Sequence, residues 1–140
     1  MNRKGIFGSP LDLEDDPLRE IASMLSVFSF DVRVSETIRG RSGITYEVDA
    51  VAEKREVSPV RLLIKCKSNV RDRVLRLDEV LSFWAQVLDS TADMGIILTT
   101  CRVSEEAIRF AEHHRILIIS GRSPHHLRYK LLKSEVFLSP

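Results

Sequence analysis

Two apolar runs constrain this chain more than anything else in it. Met94–Leu98 reads Met-Gly-Ile-Ile-Leu and Ile116–Ile119 reads Ile-Leu-Ile-Ile, without one charged or hydroxyl side chain. A strand with one wet face alternates apolar and polar residues, so a strand that does not alternate has to be covered on both faces. Between the runs Ser104 is placed as a helix N-cap, with Glu105 and Glu106 where acids favour a helix start. Strand, helix and strand in that order make a parallel unit. Leu77, Val80, Leu81, Trp84, Val87 and Leu88 recur at the spacing of an amphipathic helix just ahead of it.

The first half of the chain changes period. Asp16-Pro17 reads as a helix start, followed by Leu18, Ile21, Ala22, Leu25 and Phe28 on one face. Phe30–Val34 is a short strand, and Arg39-Gly40-Arg41-Ser42-Gly43 is a turn. Ile44–Glu53 alternates, which predicts Ile44, Tyr46, Val48 and Ala50 on one face and Thr45, Glu47 and Asp49 on the other. Val60–Lys67 alternates again, with Val60, Leu62, Ile64 and Cys66 opposed to Arg61, Leu63, Lys65 and Lys67. Leu127, Leu131 and Leu132 suggest a last helix. The order α-β-β-β-α-β-α-β-α is an α/β fold, one mixed sheet with helices on both faces.

A length of 140 residues, 44% of them hydrophobic, supports one domain with one real core. We expect an N-terminal arm over residues 1–16, the domain over 17–121 and a C-terminal helix and tail over 122–140. The formal charge of +1 points to no class of partner in bulk. Two cysteines, Cys66 and Cys101, are too few for a disulfide scaffold and suit reduced thiols in a cytoplasmic protein. No apolar run approaches the roughly 20 residues that cross a bilayer, and the start does not read as a secretory signal.

One constellation carries chemistry. Glu47 and Asp49 are two apart on one strand; Lys65 and Lys67 are two apart on its neighbour. In a hairpin the two polar faces can be the same side of the sheet. Carboxylates hold Mg²⁺ through hard oxygen ligands, and a lysine ammonium stabilises charge building on a phosphate. The plain alternative is a solvated strand face with cross-strand ion pairs.

Read in order, these pieces resemble the Mrr-type members of the restriction-endonuclease-like, or PD-(D/E)XK, nuclease superfamily. The resemblance covers roughly residues 17 to 121. It rests on the first helix and Ser29-Phe30, on Tyr46-Glu47-Val48-Asp49-Ala50-Val51-Ala52, and on Leu62-Leu63-Ile64-Lys65-Cys66-Lys67. Ala92 through Thr100, Ser104-Glu105-Glu106-Ala107 with Phe110-Ala111-Glu112, and Ile116 through Gly121 complete it. The resemblance implies an αβββαβ core and Mg²⁺- or Mn²⁺-dependent hydrolysis of phosphodiesters in DNA. It implies Asp49 as a metal ligand and Lys67 as the catalytic lysine. Lys65 departs from the family, which has Glu, Asp or Gln there. At about 6 Å and an effective dielectric of about 20, its charge repels a divalent ion by roughly 5 kcal/mol. Two candidates for the missing acid are Glu47 and Glu79, with Glu20 on the first helix as a weaker third; the plain alternative for Glu79 is a solvent-facing acid near a helix start. The alternative function is a nuclease-fold protein that has lost hydrolysis and binds DNA or a partner protein.

Basic residues bracket this site in sequence: Lys54, Arg55, Arg61, Lys65, Lys67, Arg71, Arg73 and Arg76 are opposed only by Glu56 and Asp72. Such clusters bind phosphate backbones. Arg39 and Arg41 in the glycine-flanked turn can add contacts from a mobile loop. The pairs His113-His114 and His125-His126 point about 100° apart on a helix, so neither is a natural chelate. Trp84 or the apolar end Val136-Phe137-Leu138 can supply a homodimer face.

Overall fold

The computed structural model describes residues 17–67 and 73–134. It contains, in order, α1 (Pro17–Val27), β1 (Asp31–Arg39), β2 (Thr45–Lys54), β3 (Val60–Lys67), β4 (Val74–Leu75), α2 (Leu77–Asp89), β5 (Met94–Thr99), β6 (Arg102–Val103), α3 (Glu105–Glu112), β7 (Ile116–Ser120) and α4 (Pro124–Leu132). The five longer strands form one sheet in the order β1-β2-β3-β5-β7. β1, β2 and β3 are a meander of antiparallel neighbours; β3, β5 and β7 run parallel. The α/β class is the one expected from the sequence, and so is the order of the helices and the five longer strands.

Helices cover both faces. On one, Ile21, Met24 and Leu25 of α1 and Leu127 and Leu131 of α4 pack on Ala50, Ala52, Leu62, Ile64, Ile96, Leu98 and Ile119. On the other, Val80, Phe83 and Val87 of α2 and Ala107 and Ala111 of α3 pack on Val51, Leu63, Ile97 and Ile116. Ile96 and Ile97 both have no exposed surface, which is why the Met94–Leu98 run carries no polar residue. Gly95 is required where α2 crosses β5: a Cβ there would lie 2.6 Å from Val87 Cγ2 and 2.7 Å from Phe83 Cε2.

The expected Ser104 cap is present, and Ser123 adds one not anticipated from the sequence. Ser104 Oγ accepts from Ala107 N–H at 3.2 Å and Ser123 Oγ from His126 N–H at 3.2 Å. Helix α1 begins at Pro17; the expected Asp16 cap lies outside the described residues, as do the arm 1–16 and the Val136-Phe137-Leu138 end. Among the described residues no helix is long and apolar enough to cross a membrane.

Three expectations are corrected. Strand β1 runs on to Arg39, because it pairs with β2 all the way to the turn, from Asp31↔Glu53 to Arg39↔Thr45. The connection before α2 contains β4, which pairs in parallel with β6; a strand of two residues has no period to read. The third correction bears on function. Tyr46 and Val48 pack on the α2–α3 side, whereas Ala50 and Ala52 pack on the α1–α4 side. The alternation in β2 therefore breaks at Asp49. The cause lies across the ladder: Ser35, between the pairs Val34↔Ala50 and Glu36↔Val48, has φ 53°. A left-handed residue interrupts the pleat, so Val32 and Ile38 of β1 also serve opposite faces. Glu47 and Asp49 accordingly do not share one continuous face.

Candidate active site

Strands β2 and β3 pair from Lys54↔Val60 to Ala50↔Ile64 and then separate. At the split, the half-buried Asp49 uses its side chain where the ladder would otherwise continue. Its Oδ2 accepts from Cys66 N–H at 2.7 Å, between Lys65 and Lys67 in the chain. Its Oδ1 accepts no hydrogen bond among the described residues. Lys67 is the register partner of Thr99, and Thr99 of Ser120. The site thus stands at the carboxyl ends of the parallel strands, where open α/β sheets form their crevices.

The first turn of α2 closes the other side. Lys67 Nζ forms an ion pair with Glu79 Oε1, and both side chains are mostly covered. Glu79 Oε2 accepts from Arg76 N–H at 3.3 Å, the acidic half of a capping box. Burial by itself would raise the Glu79 carboxyl. The hydrogen bond from Lys67, the Arg76 N–H and the charges of Lys67 and Arg73 overcome it and hold the group below its usual range. Lys65 lines a groove of about 230 Å³ with Asp78, Glu79, Ser82, Phe83 and Gln86. Arg73 and Arg76 line a neighbouring hollow of about 380 Å³ that shares Asp78 and Glu79.

Lys65, Lys67, Glu79, Arg73 and Arg76 are therefore brought together, and Asp49 joins them through the Cys66 backbone. The remaining sequence candidates are elsewhere. Glu47 is exposed on the side of β2 opposite its neighbours Tyr46 and Val48, away from α2. Glu20 faces α4, with its carboxylate 3.5 Å from His125 Nδ1 and 3.9 Å from Arg128 Nε. Lys54 lies 3.5 Å from Glu56 and over the Phe30 ring. Lys54 pairs with Val60, seven residues from Lys67 along β3, which is about 23 Å. The exposed Arg55 is next to it. Arg71 lies outside the described residues.

Arg39 and Arg41 border a turn that is pinned, not the mobile loop expected. Asp89, the last residue of α2, accepts from Ser42 N–H at 2.9 Å, Ser42 Oγ–H at 2.6 Å and Tyr46 Oη–H at 2.7 Å. Arg41 N–H donates to the Asp89 carbonyl at 2.7 Å. The hydrogen bonds from Ser42 and Tyr46 hold the Asp89 carboxyl low; donation to Asp89, with burial, pushes the Tyr46 phenol up. Sequence reading missed this clasp. The available signal was an acid at a helix C-terminus, where the dipole disfavours it unless something else satisfies it. Elsewhere on α2, Phe83 is buried, and Trp84 meets the Phe110 ring edge-on at 5.3 Å. His114 stacks on Phe110 at 4.2 Å.

Among the described residues no group of three or more His, Cys, Asp or Glu side chains is placed to hold a metal ion. A cage is not what Mg²⁺ needs: it is ordinarily held by one or two carboxylates, with waters and substrate phosphates completing the shell. Asp49, with Oδ1 open, and Glu79, whose partner is a displaceable ammonium, are donors of that kind. The donor chemistry fits a hard divalent ion.

The sequence model of the Mrr_cat restriction endonuclease family matches residues 28–124. No curated protein sequence matches the chain. Three solved structures share the fold. AF1548, a protein of unknown function, superposes with a TM-score of 0.65 at 20% identity, over 89% of this chain and 71% of that one. The MspJI restriction endonuclease, solved with a 27-mer oligonucleotide, gives 0.51 at 15% over 84% of this chain. AspBHI, a DNA modification-dependent restriction endonuclease, gives 0.50 at 14% over 89%. The chain spans 27% of the MspJI structure's length and 39% of AspBHI's.

Proposed function

The chain belongs to the Mrr_cat restriction endonuclease family, and from that premise we propose that it is a metal-dependent DNA endonuclease of Mrr type. The observation that supports this reading is that Asp49 is held by Cys66 N–H at the strand split, while Lys67, the next residue in the chain, is paired with Glu79. Asp49 and Glu79 are the residues that would hold Mg²⁺ or Mn²⁺. Such an ion, when bound, neutralises phosphate charge and lowers the pKa of a coordinated water.

The protein's own groups do the rest. Cys66 N–H fixes the Asp49 carboxylate, so one rotamer is set before substrate arrives. Lys67, released from Glu79, directs its ammonium to the phosphate oxygen on which charge builds. Lys65 adds a second cation on the same side of β3 and holds the phosphate from the groove it lines. Arg73 and Arg76 bind the flanking backbone. Hydrolysis breaks one P–O bond of the phosphodiester: water supplies hydroxide to phosphorus and a proton to the leaving oxygen. A homodimer presents two such centres to the two strands of a duplex.

Lys65 favours a second reading, a nuclease-fold protein that binds DNA without cutting it. The test is nicking of supercoiled plasmid in Mg²⁺ or Mn²⁺ beside Asp49→Ala. Cutting by the wild type alone supports the endonuclease. Metal-independent, salt-sensitive DNA binding with no cutting by either protein overturns it in favour of the second reading.

A further inference from the structure

Helix α2 carries two apolar stripes where one would seat it on the sheet. Val80, Phe83 and Val87 form the first and are buried against β5 and its neighbours. Leu77, Leu81, Trp84 and Leu88 form the second, spaced four, three and four apart, as along a coiled-coil seam. This second stripe is not fully covered. Leu81 is 39% exposed and Leu88 56%, and Ala85 between them is also exposed. Trp84 leans on Phe110 with only part of its surface covered. Beside the stripe is a shallow concavity of about 520 Å³ lined by Arg41, Ser42, Trp84, Ala85, Leu88 and Asp89.

The stripe is complementary to itself when reversed. With two α2 helices antiparallel about a two-fold axis between Trp84 and Ala85, Leu81 faces Leu88 of the other copy. The large Trp84 then faces the small Ala85. Leu81 and Leu88 are about 10 Å apart along the axis, so both pairs close within two turns. Charge agrees with the apolar register. The exposed Asp78 lies in the first turn of α2, and Arg41 is tied to its last residue through the Asp89 carbonyl. Reversal brings Asp78 to the partner's Arg41 at both ends, the reciprocal contact an isologous interface requires.

We infer that α2 is a homodimer interface whose occupant is the α2 of a second copy, packed antiparallel along Leu81, Trp84, Ala85 and Leu88. The inference deepens the reading above, because Asp78 adjoins Glu79. The partner's Arg39–Gly43 turn therefore borders each catalytic centre, and the Asp89 clasp that fixes the turn also fixes that border.

Sedimentation velocity of the full chain without DNA or metal tests it, so its outcome is independent of whether the protein cuts. The wild type should sediment at twice the 16.0 kDa chain mass. Leu88→Glu, at an exposed position, should give a monomer with an unchanged circular dichroism spectrum. Asp78→Arg and Arg41→Asp should each weaken the dimer about tenfold or more, and the double variant should recover most of the loss. Dilution through the transition should shift the emission of Trp84, the chain's one tryptophan. A monomeric wild type at about 100 μM, or a Leu88→Glu protein that stays dimeric, overturns the interface. Charge variants whose losses simply add overturn its antiparallel register.

Discussion

The two ends of α2 each hold a carboxylate whose pKa is depressed, and they do so by different means. At the C-terminal end Asp89 receives three hydrogen bonds from neutral donors, the Ser42 amide and hydroxyl and the Tyr46 phenol. At the N-terminal end Glu79 is held by one ammonium and a longer amide contact of 3.3 Å. Neutral donors carried by a turn stay in place as long as the turn does. A lysine on a flexible stem can leave, and another cation or a phosphate-bound partner can take its place. A lowered pKa by itself therefore does not mark a functional acid; the exchangeability of what lowers it does. Asp89 belongs to the architecture, and Glu79 stands where the proposed site would use it.

The largest effect that would break this distinction concerns cleavage. Asp49→Asn keeps an acceptor for Cys66 N–H and removes the charge. Plasmid nicking should fall by about a thousandfold while Tm changes little. Glu79→Gln should cost roughly a hundredfold in the same assay. If Asp89→Asn lowered cleavage as much as Glu79→Gln does, the assignment of the two ends would be wrong.

Next is the clasp. A Cβ on Gly40 would lie 2.1 Å from Asp89 Oδ2, so Gly40→Ala should push the turn off the helix. We expect Tm to drop by roughly 5 °C, read by thermal unfolding.

A pH series sharpens the same point. The native Asp89 carboxyl lies below its ordinary 3.8, so its contribution is present above that value and is lost as pH falls through the depressed native one. Asp89→Asn should lower Tm at pH 7 and make no difference once the wild-type carboxyl is itself protonated. In the alkaline direction the native Tyr46 keeps its proton past the ordinary 10.0, so the clasp weakens as pH rises beyond that value.

The smallest effects separate the basic residues. Arg73→Ala or Arg76→Ala should weaken DNA binding and reduce the salt slope by about one. Lys54→Ala and Arg55→Ala, at the far end of the β2–β3 hairpin, should leave both nearly unchanged. Fluorescence anisotropy over a salt series reads all four.

The sequence by itself determined the fold class and the order of the helices and the five longer strands. Helix caps, apolar runs and the period-two stretch of β3 depend on neighbours within a few residues, and such signals are written locally. It also grouped Glu47 and Asp49 with Lys65 and Lys67, and offered Glu79 and Glu20 beside Glu47 as candidates for a missing acid. Only the tertiary structure decided which acids keep company. The left-handed Ser35 on a neighbouring strand breaks the pleat at Asp49 and sends Glu47 to the other side, which alternation within β2 does not reveal. Packing of α1 on α4 engages Glu20 with His125 and Arg128. The basic run that brackets the site in sequence is split between two ends of a hairpin about 23 Å apart. Nearness along a chain is inherited from covalent bonds; nearness in a site is set by how strands diverge and which helix covers them.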